Sequence, residues 1–179
     1  MPDPDPMPVR HAIVVMGVSG SGKSSCGARL AAVLGIDFVD GDDLHPTANV
    51  AKMSAGEALT DADRWPWLDR VAEALADRAA HPSGVAIACS ALRRRYRDRL
   101  REGARVAAPI FLFLDITPEE ARRRLGGRRG HYMPVSLVGS QFDTLERPAP
   151  DETDVATVEE TEGVAETVDA AVAALGALA

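Results

Sequence analysis

Cysteine is scarce in this chain of 179 residues: Cys26 and Cys89 are the only two. Neither stands in a metal-ligand spacing, so neither a disulfide framework nor a zinc site is indicated. No apolar run approaches the roughly 20 residues that span a bilayer. The opening residues 1–8, MPDPDPMP, are too acidic and proline-rich for a signal peptide. They read as a disordered tail covering residues 1–10, with Met7 as an alternative start. A basic excess is also missing: the net charge is −7, which argues against general nucleic-acid binding. What remains is an ordinary globular composition, 46% hydrophobic, in a length that suits one cytoplasmic domain over residues 11–179.

The stretch that organises the rest is Gly17-Val18-Ser19-Gly20-Ser21-Gly22-Lys23-Ser24. It fits G-x-x-x-x-G-K-[ST] at every fixed position. A β-branched run, residues 11–16, precedes it, and a helical pattern over residues 25–34 follows, closed by Gly35. Strand, glycine loop and helix form the context that a phosphate-binding loop requires. The loop amides of Ser19 to Ser25 are expected to hold the β- and γ-phosphates of a nucleoside triphosphate, with Gly17, Gly20, Ser21 and Gly22 shaping the cradle. Lys23 reaches the same phosphates, and the Ser24 hydroxyl suits Mg²⁺.

A second strand, residues 36–39, runs into Asp40-Gly41-Asp42-Asp43. Carboxylates at the carboxyl end of a strand lie where open α/β sheets bind ligands. Asp40 and Asp42 point the same way if the strand continues. One carboxylate then serves Mg²⁺ through water while the other orients an attacking hydroxyl; the assignment is Asp40 and Asp42 respectively, and the roles are exchangeable. Residues 44–64 are irregular and long for a connection, as a segment covering a substrate site is. His45, Lys52 and Arg64 there suit an anion, although a solvated surface explains them as well. Pro66 opens an amphipathic helix with Leu68, Val71, Ala72, Leu75 and Ala79 on one stripe. Residues 85–89 form a buried strand, in which Cys89 reads as a small core residue.

A basic helix follows, residues 93–101, in which Arg93 and Arg97 share a face that reaches the ligand crevice. Residues 110–114 make a strand buried on both faces, and Thr117-Pro118-Glu119-Glu120 is a capping box. The helix it starts carries Arg122, Arg123 and Arg124, then breaks at Gly126-Gly127-Arg128-Arg129-Gly130. Glycines around an arginine pair suggest a hinged lid over residues 122–133 that brings charge to a migrating phosphoryl group. Arg128 is the first candidate for that contact and Arg124 the second. A helix over residues 135–147, a short strand over 154–158 and an alanine-rich helix from Val164 complete the chain. The order predicts an α/β fold of three layers: a parallel sheet of about five strands with helices on both faces.

These residues resemble the gluconokinase family, small P-loop kinases that phosphorylate D-gluconate. The resemblance runs from about Ile13 to Val158 and is carried by several segments in order. They are the loop itself, Asp40-Gly41-Asp42 with Leu44-His45-Pro46, Asn49, Lys52 and Met53, and Asp61, Asp63, Arg64, Pro66, Trp67 and Leu68. Cys89-Ser90-Ala91-Leu92-Arg93 with Tyr96-Arg97-Asp98 continues it, as do Gly130-His131, Ser140-Gln141-Phe142, Leu145-Glu146 and Asp151-Glu152. Ala58 and Arg93 depart from the usual proline and lysine.

The resemblance implies a core with a lid and a substrate segment, transfer of the γ-phosphoryl of ATP to the 6-hydroxyl of D-gluconate, Mg²⁺ at Ser24 and Asp40, and a homodimer. It implies a substrate site from Asp40, Asp42, His45, Lys52, Arg64, Ser90, Arg93, Arg97, His131 and Gln141, whose cations suit a carboxylate substrate despite the acidic whole. Shikimate kinases and nucleoside monophosphate kinases share such a sheet, but the 44–64 segment argues against both. A nucleotide-dependent switch is the reading from another class, and a basic lid facing an acidic acceptor site argues against it.

Overall fold

The computed structural model describes residues 12–79, 83–127 and 135–178. Arg128, Arg129, Gly130 and His131, with half of the expected 122–133 lid, lie outside the described residues, as does the amino-terminal tail.

Strand β1 (Ala12–Met16) is an unbroken apolar run and is buried on both faces, as a central parallel strand must be. It lies between β3 (Val85–Ala88) and β4 (Ile110–Asp115), with β2 (Asp37–Asp40) and β5 (Val155–Glu159) at the edges. All pairings are parallel, and Val14 stands opposite both Ile87 and Phe111. The five-stranded parallel sheet expected from the element order is therefore present, in the order β2-β3-β1-β4-β5.

Side-chain alternation along β1 divides the core into two layers. Ala12, Val14 and Met16 pack with α3 (Asp61–Ala79) and α4 (Arg94–Gly103), through Leu68, Val71, Leu75, Tyr96 and Leu100. Ile13 and Val15 point the other way, onto α1 (Lys23–Leu34) and α7 (Val164–Gly176), through Cys26, Leu30, Val168 and Ala171. A smaller apolar group closes the carboxyl edge: Val18 and Leu92 meet α5 (Pro118–Gly126) and α6 (Val138–Thr144) through Ala121, Leu125 and Val138. That group sets the second half of the chain beside the glycine loop.

Two helix boundaries and one cap differ from expectation. The helix α3 begins at Asp61, five positions before Pro66, because Thr60 and Asp63 cap it reciprocally. The Thr60 Oγ1 accepts from the Asp63 amide at 3.2 Å and the Asp63 carboxylate accepts from the Thr60 amide at 2.8 Å. Pro66 sits in the second turn, where its missing N–H removes one intrahelical bond. The segment expected as one helix over 135–147 is a 3₁₀ turn (Val135–Leu137) followed by the shorter α6. The capping box at Thr117 is half made. Its hydroxyl accepts from the Glu120 amide at 3.2 Å, but the Glu120 carboxylate turns to Arg123 and Arg124.

Candidate active site

At the carboxyl edge of the sheet the loops after β1, β2 and β3 converge on a cleft of about 890 Å³, part of it open to solvent. Its walls carry the loop residues Ser19, Gly20, Gly22, Lys23 and Ser24, together with Asp42, His45, Arg64 and Ser90. Gln141 of α6 forms another part of the wall. An anion entering from solvent thus meets one helix N-terminus and one guanidinium inside the same opening.

The glycine loop owes its shape to Gly22, which caps α1 at φ 90, a left-handed conformation costly for any residue with a Cβ. No side chain caps α1 and its first turn holds no acidic residue, so the helix presents its amino end to whatever binds. The Lys23 ammonium bonds back to the Val18 carbonyl at 2.9 Å. Ser21 is buried, and among the described residues its hydroxyl oxygen has no hydrogen-bond partner. An unpartnered hydroxyl inside a loop of inward-facing amides fits a phosphate-binding role. The Ser24 hydroxyl donates to Asp40 Oδ2 at 2.7 Å, an oxygen pair of the kind that hard divalent cations take.

The two aspartates do not share a strand. The chain leaves β2 at Asp40 and enters a 3₁₀ turn, Gly41–Leu44, whose amino end Asp40 caps by accepting from the Asp42 amide at 3.0 Å. The expectation that they point alike through strand alternation is therefore replaced: Asp40 faces Ser24, while Asp42 lines the cleft. Trp67 fixes this turn by donating from Nε1 to the Gly41 carbonyl at 2.8 Å. His45 stacks on the same indole, ring centroids 4.1 Å apart. Burial, with Arg64 nearby, holds the imidazole pKa down to about 4, so at neutral pH His45 is an uncharged hydrogen-bonding group and not the cation expected.

The remaining candidates divide. Arg64 lines the cleft, braced by the Leu59 carbonyl and by the Tyr96 hydroxyl at 3.3 Å. Lys52 gives its charge to Asp63, 2.9 Å away, and so ties α2 (Thr47–Ser54) to the start of α3. Arg93 lies 3.9 Å from Asp61, beside the Tyr96–Asp61 hydrogen bond of 2.5 Å.

Arg97 corrects the sequence reading most clearly. Its side chain is 0% exposed, paired with Glu152 at 2.6 Å, and bonded to the carbonyls of Ala91, Leu92 and Glu146. An arginine sealed in that way supports the chain behind Ser90 and is closed off from a ligand in the cleft. Of the lid arginines, Arg124 lies against the glycine loop, 3.3 Å from the Ser21 carbonyl, with Glu120 holding its Nε at 2.6 Å. The Ser19 amide, expected on a phosphate, donates instead to Gln141 Oε1 at 2.6 Å. Cys89 is buried and its thiol is pushed up to about 12 by desolvation, which suits a core residue and not a nucleophile.

Comparison with known proteins places this geometry. The model of the AAA_33 family, described as an AAA domain, matches residues 13–148. The thermosensitive gluconokinase of Escherichia coli (strain K12) is 45% identical over 149 residues, covering 83% of this chain and 79% of the relative. The chain belongs to the gluconokinase family. Solved structures agree with this membership. A gluconokinase from Sinorhizobium meliloti is 45% identical and superposes with a TM-score of 0.83, covering 95% of this chain and 94% of that one. A sugar kinase from a Janibacter species is 41% identical with a TM-score of 0.85, covering 94% and 98%. For a gluconokinase-family chain, Asn49, Asp63, Trp67 and Glu152 gain meaning as the residues that hold the cleft's walls. Sequence reasoning gave none of them a task. Their places in the family's motifs were one signal and spacing another, since Asn49 stands four residues after His45 and Asp63 three after Thr60.

Proposed function

We propose that this protein transfers the γ-phosphoryl group of ATP to the 6-hydroxyl of D-gluconate, giving 6-phospho-D-gluconate and ADP. The observation that carries the reaction class is a single cleft lined both by a phosphate cradle and by a carboxylate, Asp42. The identity of the acceptor rests on the family, and Arg64 supplies a cation to match the substrate's carboxylate.

In this reading the amides from Gly20 to Ser25 and the Lys23 ammonium hold the β- and γ-phosphates. Lys23 leaves the Val18 carbonyl when a better acceptor arrives. Asp42 orients the acceptor hydroxyl and takes its proton as the new O–P bond forms; the bond between the γ-phosphorus and the β–γ bridging oxygen breaks, and its electron pair departs on ADP. Ser24 and Asp40 are the residues that would hold Mg²⁺, which when bound neutralises phosphate charge. Arg124, and Arg128 beyond the described residues, are the lid arginines assigned to the migrating group.

Coupled detection of ADP tests the assignment. Added gluconate should raise ADP formation at least about a hundredfold over the rate with ATP alone, with shikimate and nucleoside monophosphates inert. Lys23→Ala should lower gluconate-dependent turnover by about a hundredfold or more, the scale of a lost transition-state contact. Equal rates with and without gluconate would sink the proposal.

A further inference from the structure

His45 has a hydrogen-bonding polarity that the surrounding groups determine. Asn49 Nδ2 donates to the backbone carbonyl of Asp63 at 2.9 Å, which identifies that atom as the amide nitrogen, since a carbonyl oxygen only accepts. The same Nδ2 lies 3.3 Å from His45 Nδ1. A nitrogen that carries two hydrogens donates in both directions, so Nδ1 is the accepting nitrogen of a neutral ring. The ring proton therefore resides on Nε2. Stacking on Trp67 locks the plane, and the imidazole side chain is only 4% exposed.

That Nε2 faces Asp42 Oδ1 across 3.9 Å, too far for a direct hydrogen bond. One oxygen atom placed between them reaches both at ordinary hydrogen-bond length. Because one side donates and the other accepts, the atom that satisfies both must itself accept and donate. A hydroxyl does so, whereas a carbonyl or a carboxylate oxygen accepts from His45 and carries no hydrogen to give to Asp42.

We propose that His45 is a neutral donor which, together with Asp42, grips the acceptor hydroxyl and aims it. An alcohol oxygen has four tetrahedral directions. Carbon takes one, its hydrogen points to Asp42, and one lone pair accepts from His45 Nε2–H. The last lone pair is left directed at the γ-phosphorus. Asp42 alone fixes the hydrogen and leaves the alcohol free to turn about the O–H···Oδ1 axis, which swings the reactive lone pair; the second contact removes that freedom. His45 thereby acts in orientation and takes no proton at any stage, and burial beside Arg64 keeps the ring neutral across the working pH range.

This inference rests on the proposed kinase reading, so its test has one arm that does not depend on turnover. Protein labelled with ¹⁵N-histidine is examined by NMR at pH 7, with the His45 signals identified by their loss in His45→Gln. The expected spectrum has a protonated, pyrrole-type Nε2 and an unprotonated, pyridine-type Nδ1. A proton on Nδ1, or an imidazolium, overturns the proposal. The kinetic arm compares His45→Phe, which keeps a stack on Trp67 and loses the donor, with His45→Gln, whose amide nitrogen reaches the Nε2 position. We expect kcat to fall between about tenfold and a hundredfold in the Phe variant with KM for gluconate within about threefold, and the Gln variant to recover most of it. Unchanged kcat in the Phe variant, or an effect confined to KM, contradicts it. Absence of gluconate-dependent turnover in the wild type strikes the kinase reading and leaves the tautomer result standing.

Discussion

Arg97 and Glu152 show how a charge that looks functional in sequence becomes structural in space. The pair is sealed, with side chains 0% and 1% exposed, and Arg101 adds a second guanidinium to Glu152 at 2.8 Å. The hydrogen bond from Arg97 leads the causes that hold the Glu152 pKa down at about 2, against an ordinary 4.5. A depressed carboxylate stabilises the fold fully above its unfolded pKa, and that contribution is lost as pH falls toward the folded value. Wild-type stability should therefore drop between pH about 4.5 and about 2, with Glu152 contributing up to about 3 kcal/mol of it. Glu152→Gln should flatten that part of a Tm-against-pH curve. Arg97→Met takes the buried partner from the Glu152 carboxylate, leaving it Arg101, and should cost about 3 kcal/mol at pH 7, or roughly 10 °C in Tm. A variant melting within about two degrees of wild type would contradict this account. Sequence spacing put Arg93 and Arg97 on one helix face, but the helix runs from Arg94 to Gly103 and Arg93 is its extended N-cap residue. Spacing carried no information about Glu152, 55 positions later, and so no means of telling a buried ion pair from a ligand contact.

Among the elements, the turn after β2 decides how the acceptor side is built. Gly41 has no positive φ to explain it. A Cβ there would overlap the Ala88 carbonyl oxygen of the neighbouring strand, so backbone proximity is the reason for glycine. Gly22, by contrast, has nothing nearer to a Cβ than Arg124 Nη1 at 3.7 Å and is needed for its φ of 90. Gly41→Ala should force β2 away from β3, lower stability by roughly 1–3 kcal/mol and displace Asp42. Denaturant unfolding combined with gluconate kinetics would check it, with kcat falling more than the stability loss alone explains. An alanine variant equal to wild type in both would refute the close-approach argument. The loop, the strands and α7 were legible because apolar runs and glycine spacing are local signals. The start of α3 was hidden because Thr60 and Asp63 form a capping box with aspartate in place of the usual glutamate.

For the whole molecule, element order was enough to foresee a parallel sheet with helices on both faces, since each strand is followed by a helix that must cross back over it. Element order does not fix strand order, and the central place of β1 emerges only from its pairing with both β3 and β4. That central place matters to function. It brings the loop after β1 between those after β3 and β4, and the glycine loop and Asp42 line one cleft. Among the described residues, no helix is long and apolar enough to cross a membrane. The claim joining these scales is phosphoryl transfer to one terminal hydroxyl of a sugar acid. The most direct measurement is ³¹P and ¹³C NMR of the product formed from ATP, Mg²⁺ and D-gluconate. The account predicts one phosphomonoester per ADP, with phosphorus coupled to the C6 carbon. An ester at another carbon, or inorganic phosphate released while gluconate stays unmodified, would contradict it.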